Sequence, residues 1–330
     1  MNYAAEQTSE QGVPVVSLKD RAAEVEVSIL PSLGNRVYQM NVRGQDVLYY
    51  PPGQLPDHLR NPALGGIPFL APWADLLDEP AFWANGKRYR FNPELGNVHG
   101  PRPIHGLLTD SPLWRVRQVH ADAESASVTS RLAFWKYPEL AAQWPFAHEY
   151  EMHHRLSGGV LEVKTAVTNL SNRPMPVAVG FHPYFQIPGV ARDEWIVQSP
   201  ARVHVIADAH QIPTGEMRPL DIPNPLPLGG WELDDGFTDL ERDADGRAHF
   251  SIAARGRVIE ILFGPKYRAA TVYLPAPPPP ENAKFICVEP LAAIISGINL
   301  AHRGTYGELQ TVASREVWTE SFWVRASGRA

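Results

Sequence analysis

The chain reads as an all-β, strand-and-loop protein, and three observations predict it. Apolar runs of strand length recur along nearly the whole sequence with turn residues between them. Few segments carry a helical 3.6-residue stripe of any length. Proline, at 32 residues of 330, is about twice the usual ~5% share, without a low-complexity period to explain it. Proline interrupts helices and sits at strand edges, so the count favours strands and loops.

In order, the runs fall at residues 15–18, 23–30, 36–42 and 46–50, then at 127–135, 148–156, 160–170, 175–185 and 202–206. The later half adds 248–253, 257–263, 269–274, 285–288, 309–312 and 320–324. The pair 248–253 and 257–263 reads as a hairpin, because Gly256 can take the positive φ that a loop of Ala254-Arg255-Gly256 requires. Residues 138–144 are the best candidate for a short helix. Three stretches, 51–68, 78–103 and 212–234, read as long loops of the kind that carry function in compact domains. The tract 275–280 reads as a stiff, polyproline-like connector. Residues 1–12 read as a flexible N-terminal tail. No composition shift marks a boundary, so residues 1–330 are expected to form one domain.

Composition narrows the function. A chain of 330 residues buries roughly 75% of its unfolded surface and needs no staple. The single cysteine, Cys287, excludes an internal disulfide framework and any cysteine-based zinc site, and fits a reducing compartment. The formal net charge of -6 is spread along the chain with no basic run, which argues against nucleic acid or anionic membrane as partner. The first thirty residues lack a basic start and an apolar stretch, so a soluble cytoplasmic protein is expected.

Three segments hold ionisable groups in apolar settings. Val177-Ala178-Val179-Gly180-Phe181-His182-Pro183-Tyr184-Phe185 delivers a histidine into a turn braced by aromatics. A histidine there takes its proton affinity from its surroundings, as an acid or base near neutral pH requires. Pro103-Ile104-His105-Gly106-Leu107 sets an imidazole beside a glycine that leaves room for a ligand. In Phe285-Ile286-Cys287-Val288-Glu289-Pro290 a carboxylate ends an apolar strand, where burying its charge costs several kcal/mol without a purpose or a partner. Burial also raises its pKa, as a general base near pH 7 requires. Each has a structural reading beside the chemical one: a hydrogen-bonded core histidine, or a glutamate paired with an arginine.

His99, His105, His153, His154 and His182 are available as metal ligands, but no HExxH or similar spacing occurs. His153 and His154 are neighbours in a strand and point to opposite faces, so no metal site is expected. Trp73, Phe82, Trp83, Trp135, Tyr184 and Phe185 lie in or near the three segments. Sugar rings pack their C–H faces on aromatic planes, while their hydroxyls seek carboxylates and imidazoles. Trp73 and Tyr184 are the aromatics expected against a sugar.

In this order the segments resemble the aldose 1-epimerase (galactose mutarotase) family. The resemblance rests on Gly65-Gly66-Ile67-Pro68-Phe69-Leu70-Ala71-Pro72-Trp73, Ile104-His105-Gly106, Phe181-His182-Pro183-Tyr184-Phe185, Leu233-Asp234-Asp235-Gly236-Phe237 and Cys287-Val288-Glu289-Pro290. It implies a large antiparallel β-sandwich with few short helices, a sugar cleft on one concave sheet and no cofactor. It also implies interconversion of the α and β anomers of an aldohexose, by a monomer or homodimer whose partner is a small sugar. Carried over, Glu289 is the base that takes the proton from the C1 hydroxyl and His182 the acid that protonates the ring oxygen. His105 bonds at the reacting end, and Asp234 holds ring hydroxyls.

One departure stands out. Family members usually carry an asparagine-arginine pair just after the proline-tryptophan step, where this chain reads Trp73-Ala74-Asp75-Leu76-Leu77. Leucine cannot replace the charge-assisted hydrogen bonds of a guanidinium, worth on the order of 1.5–3 kcal/mol. Arg60 or Arg102 is the candidate substitute from a nearby loop. Two alternatives follow: a hexose-6-phosphate epimerase using Arg88, Arg90 and Arg102, or a carbohydrate-binding relative without turnover.

Overall fold

The computed structural model describes residues 2–92, 94, 98–276 and 284–328. Among these, the two largest sheets are antiparallel and face each other, beside a five-stranded one that runs Tyr3–Glu10, Val13–Asp20, Val25–Leu30, Arg36–Val42, Gln45–Asp46. The nine-stranded sheet runs Arg115–Ala121, Ala126–Leu132, His148–Ser157, Val160–Asn169, Val317–Ser327, Arg257–Phe263, Ala248–Ala254, Ile196–Gln198, Leu226–Pro227. The eight-stranded sheet runs Pro213–Pro219, Ala201–Ala207, Leu233–Leu240, Ala269–Leu274, Ile286–Leu291, Gly180–Phe181, Phe69–Leu70, with Tyr184–Phe185 also on Ile286–Leu291.

Strict alternation builds the first sheet. In His148–Ser157 and Val160–Asn169 every second residue is buried, so one face of each strand enters the core and the other stays wet. Across the core, Phe69 of the second sheet meets Tyr150 of the first with ring centroids 5.3 Å apart, and Phe181 meets Phe322 at 4.8 Å. Ile286–Leu291 is buried at all six positions. Its Ile286 and Val288 join the core between the sheets, leaving Cys287 and Glu289 on the opposite face, which is itself covered. The all-β sandwich implied by the resemblance is what the chain forms. The hairpin at 248–263 is present with Arg255 and Gly256 both left-handed, and Pro138–Gln143 is the short helix. His154 is buried and His153 half-buried, on opposite faces as the strand period requires.

Several expectations need correction. The N-terminal residues are not a tail: Tyr3–Glu10 pairs along its length with Val13–Asp20 through a turn at Gln11 and Gly12, both left-handed. Its polar residues hide the strand period because backbone bonding, not side-chain burial, holds it. The long loops carry structure as well. Residues 51–68 contain the helix Leu55–Arg60, and 78–103 the hairpin of Ala81–Ala84 with Lys87–Arg90 and the ladder of Val98–His99 with Arg102–Pro103. Residues 212–234 contain the proline-bounded edge strand Pro213–Pro219. Of the tract at 275–280, residues 277–280 lie outside the described residues.

Candidate active site

The segment 65–77 acts as a strap that fixes both histidines. Gly66 O and Pro68 O accept the backbone N–H groups of Tyr184 and His182, at 2.9 and 3.0 Å. Further along, Ala71 O accepts from Leu107 N at 2.7 Å and Asp75 O from His105 N at 3.0 Å. His105 and Gly106 are both left-handed, with φ of 59° and 68°. The space beside Gly106 belongs to the strap and not to a ligand, since a Cβ there would lie 2.1 Å from Ala71 O. That corrects the sequence reading of this glycine.

The strap brings His182 and Glu289 into contact, Nε2 to Oε1, at 3.3 Å. The His105 ring stands edge-on to His182 at 5.2 Å, and the Tyr184 ring stacks on it at 4.6 Å with its hydroxyl 3.5 Å from Nε2. All four side chains are buried. Glu289 Oε2, His182 Nδ1 and His105 Nδ1 have no hydrogen-bond partner among the described residues. Buried polar atoms left open in this way mark where a ligand or water completes the bonding. An open cavity of about 270 Å³ adjoins His105, with His99, Thr109, Asp110 and Arg36 on its wall.

Two further carboxylates crowd the site. Strand register puts Gly236, Thr271 and Glu289 in one row and Asp234, Tyr273, Cys287 and Tyr184 in the next, on a common face. Asp234 accepts a hydrogen bond from Gln211 Nε2. Asp75, left-handed and buried, accepts from Leu76 N at 2.8 Å and from the Thr271 hydroxyl at 3.2 Å. Burial pushes Asp75 up to about 6. Burial and then the charge of Asp75 push Asp234 up to about 7. Glu289 lies well above the usual carboxylate range, through burial first and then Asp75 and Asp234.

The imidazoles move the other way. Burial lowers His105 to about 4. His182 lies well below the usual range through burial, with the neighbouring His105 and Arg36 adding to it. A raised acid facing a lowered base holds its proton on the acid, so the resting pair is a neutral carboxyl against a neutral imidazole. A neutral pair also avoids the desolvation cost of a buried ion pair.

Of the residues expected from sequence, His105, His182, Glu289 and Tyr184 come together, and Asp234 lies within electrostatic reach of Glu289. Tyr184 is buried against the imidazole, where it positions the ring rather than offering an open platform. Trp73 does not belong to the site. The strap's alternation turns it into the core, where it packs on Phe91 at 4.5 Å and Trp144 at 6.3 Å. Arg102 lies on the strand that pairs with Val98–His99, opposite His99 of the cavity wall. Arg60 is paired with Asp57 on an exposed helix, and Arg88 with Glu79. Leu76 is buried in an apolar cluster with Ile212, Ile295 and Ile104. Asp75, Gln211, Thr271 and Tyr273 were missed. Thr271 and Tyr273 had a signal, being the two polar-bearing residues at alternate positions of Ala-Ala-Thr-Val-Tyr-Leu.

No group of three or more His, Cys, Asp or Glu among the described residues is disposed to hold a metal ion. Nor is any described helix long and apolar enough to cross a membrane.

The chain is thus an antiparallel β-sandwich that buries an imidazole–carboxylate pair on the outer face of one sheet. The chain belongs to the aldose 1-epimerase family, whose profile matches residues 14–324. Its fold is shared with a galactose mutarotase-like protein from Clostridium acetobutylicum, 20% identical with a TM-score of 0.86 over 99% of each chain. It is shared too with the galactose 1-epimerase of Lactobacillus acidophilus NCFM, 14% identical with a TM-score of 0.76 over 99% of each chain. A GalM/aldose epimerase homologue from C. elegans is 16% identical with a TM-score of 0.72, over 99% of this chain and 100% of that one. No curated protein matches the sequence.

Proposed function

We propose that the protein is an aldose 1-epimerase that interconverts the α and β anomers of an aldohexose through the Glu289–His182 pair. The observation that carries this reading is the 3.3 Å contact between two buried groups, each with one polar atom left open. Opening a pyranose breaks the C1–O5 bond. The proton on the C1 hydroxyl must leave while a proton arrives at O5, and the electron pair of the O1–H bond becomes the second bond of the aldehyde. A pair that holds one proton suits this, because one member donates while the other accepts and the net charge of the pair is unchanged, opening converting the neutral arrangement into the ion pair or the ion pair into the neutral arrangement.

Two proton arrangements exist, and both serve. With the proton on His182, Glu289 is the base and His182 the acid, as the resemblance implies. From the resting arrangement the roles are exchanged. Rotation about C1–C2 turns the other aldehyde face toward O5, and closure runs the transfers in reverse. His105 supports the reacting end, and Asp234 and Gln211 serve ring hydroxyls. Positioned acid and base groups are each worth roughly 10² to 10⁴ in rate.

Of the cluster that the phosphorylated-hexose alternative needs, Arg88 is tied to Glu79. Polarimetry of freshly dissolved single anomers of several aldoses, against a matched buffer blank, tests the proposal. Accelerated approach to the equilibrium rotation supports it and ranks the sugars. Uncatalysed rates for every aldose, with binding of any of them retained, would replace it by the carbohydrate-binding reading.

A further inference from the structure

Arg36 opens the strand Arg36–Val42 and is fully buried. Its Nη1 donates to Ala63 O at 2.6 Å and its Nη2 to Thr109 O at 2.9 Å. Those two acceptors sit on the segments that matter most to the centre. Ala63 precedes Gly66, whose carbonyl holds Tyr184, and Thr109 lies four residues beyond His105. The same side chain shares a cavity wall with His105, and its Nε has no hydrogen-bond partner among the described residues.

The charge is as well placed as the fork. Tyr50, Asp110 and Tyr184 face the guanidinium, and its positive field reaches His182. His182 is otherwise faced by Glu289, Tyr184, His105 and Tyr273. Arg60, one of the two arginines expected from sequence to serve the site, is paired with Asp57 instead. A planar fork that ties two carbonyls cannot be replaced by the point charge of a lysine, so geometry and charge can be separated by substitution.

We infer that Arg36 is a positioning residue of the Glu289–His182 centre: its fork ties the His105 loop to the chain that leads into the strap, and its positive charge bears on where the pair keeps its proton. It touches neither reacting atom and acts through His105 and His182. The kinetic part of the inference rests on the epimerase reading; the spectroscopic part does not.

The test compares wild type with Arg36→Lys, Arg36→Met and Asp110→Asn, the last removing the carboxylate that faces the guanidinium. For each, the ring ¹⁵N shifts of His182 and His105 are followed against pH, beside kcat, KM and the pH profile on an aldose that wild type turns over. Losing the cation in Arg36→Met is expected to move the protonation of His182 and the whole kcat/KM profile to higher pH. Losing the counter-charge in Asp110→Asn is expected to move both to lower pH. Arg36→Lys keeps the charge and loses the fork, so kcat is expected to fall ten-fold or more with the profile near its wild-type place. Unchanged ¹⁵N shifts and profiles in all three, with only a lower Tm, would make Arg36 an architectural residue and overturn the inference. If Arg36→Met does not fold, an unmoved His182 in Asp110→Asn overturns the role of the charge, and an unmoved kcat in Arg36→Lys that of the fork. Absence of turnover in wild type would count against the epimerase reading, with the ¹⁵N titrations still deciding the role of the charge.

Discussion

The Thr271 hydroxyl donates to Asp75 Oδ2 at 3.2 Å, from the residue that pairs across the sheet with Glu289. This bond holds a carboxylate within electrostatic reach of Glu289 at the place where the resemblance calls for asparagine. Asparagine would accept the same hydrogen bond without adding a charge. The aspartate therefore tunes its neighbours electrostatically, and that has consequences for stability and for the position beside it.

Asp75 should make the fold pH-sensitive. Its folded pKa is raised from 3.8 to about 6, so its contribution is fully favourable below the unfolded value and is lost as pH rises through about 6. Asp75→Asn should match wild type in unfolding free energy near pH 4. At about pH 8 it should be more stable by up to about 3 kcal/mol, the equivalent of the shift. Urea unfolding at the two pH values checks the sign. A variant less stable than wild type at the higher pH would show that hydrogen bonds to the charged form outweigh its desolvation.

Leu76→Arg should not restore a family-like site by itself. The leucine is buried among Ile104, Ile212 and Ile295, and an unpaired guanidinium there costs several kcal/mol. The expected result is a Tm lower by several degrees or more and no gain in epimerisation, measured by thermal unfolding and anomer exchange on the same sample. A stable variant with higher turnover would mean that the side chain reaches the carboxylates instead of the apolar cluster.

Gly106→Ala should uncouple the His105 loop from the strap. A Cβ would meet Ala71 O at 2.1 Å at a φ of +68°, so backbone must shift in addition to the ~1–3 kcal/mol of left-handed strain. Gly44→Ala is the control, with φ of +79° and open space around the added carbon. The first variant is expected to lose both Tm and turnover, and the second to lose only the ~1–3 kcal/mol of left-handed strain with turnover intact.

Much of the sandwich was legible because burial on one face imposes a period of two, as in His148–Ser157 and Val160–Asn169. Tyr3–Glu10 was not, since an edge strand held by its backbone leaves no such pattern. In the site, His182 and Glu289 stood out as ionisable groups within apolar runs. Asp75 did not, because its meaning depends on Thr271, 196 residues away, and on the fold that joins them. Trp73 shows the limit from the other side. An aromatic beside a motif can belong to either face of an extended strap, and in this chain its neighbours Phe91 and Trp144 claim it for the core.

The proposed Glu289–His182 pair epimerises an aldose by giving one proton to O5 while taking another from the C1 hydroxyl. Magnetisation exchange between the α and β anomers, followed by NMR with wild type and Glu289→Gln side by side across pH, tests it most directly. The expected result is exchange above the buffer rate for wild type, with a bell-shaped pH dependence belonging to the pair, and a loss of roughly 10² to 10⁴ in the variant. Equal exchange by the two proteins, or none by wild type on any aldose, would contradict it.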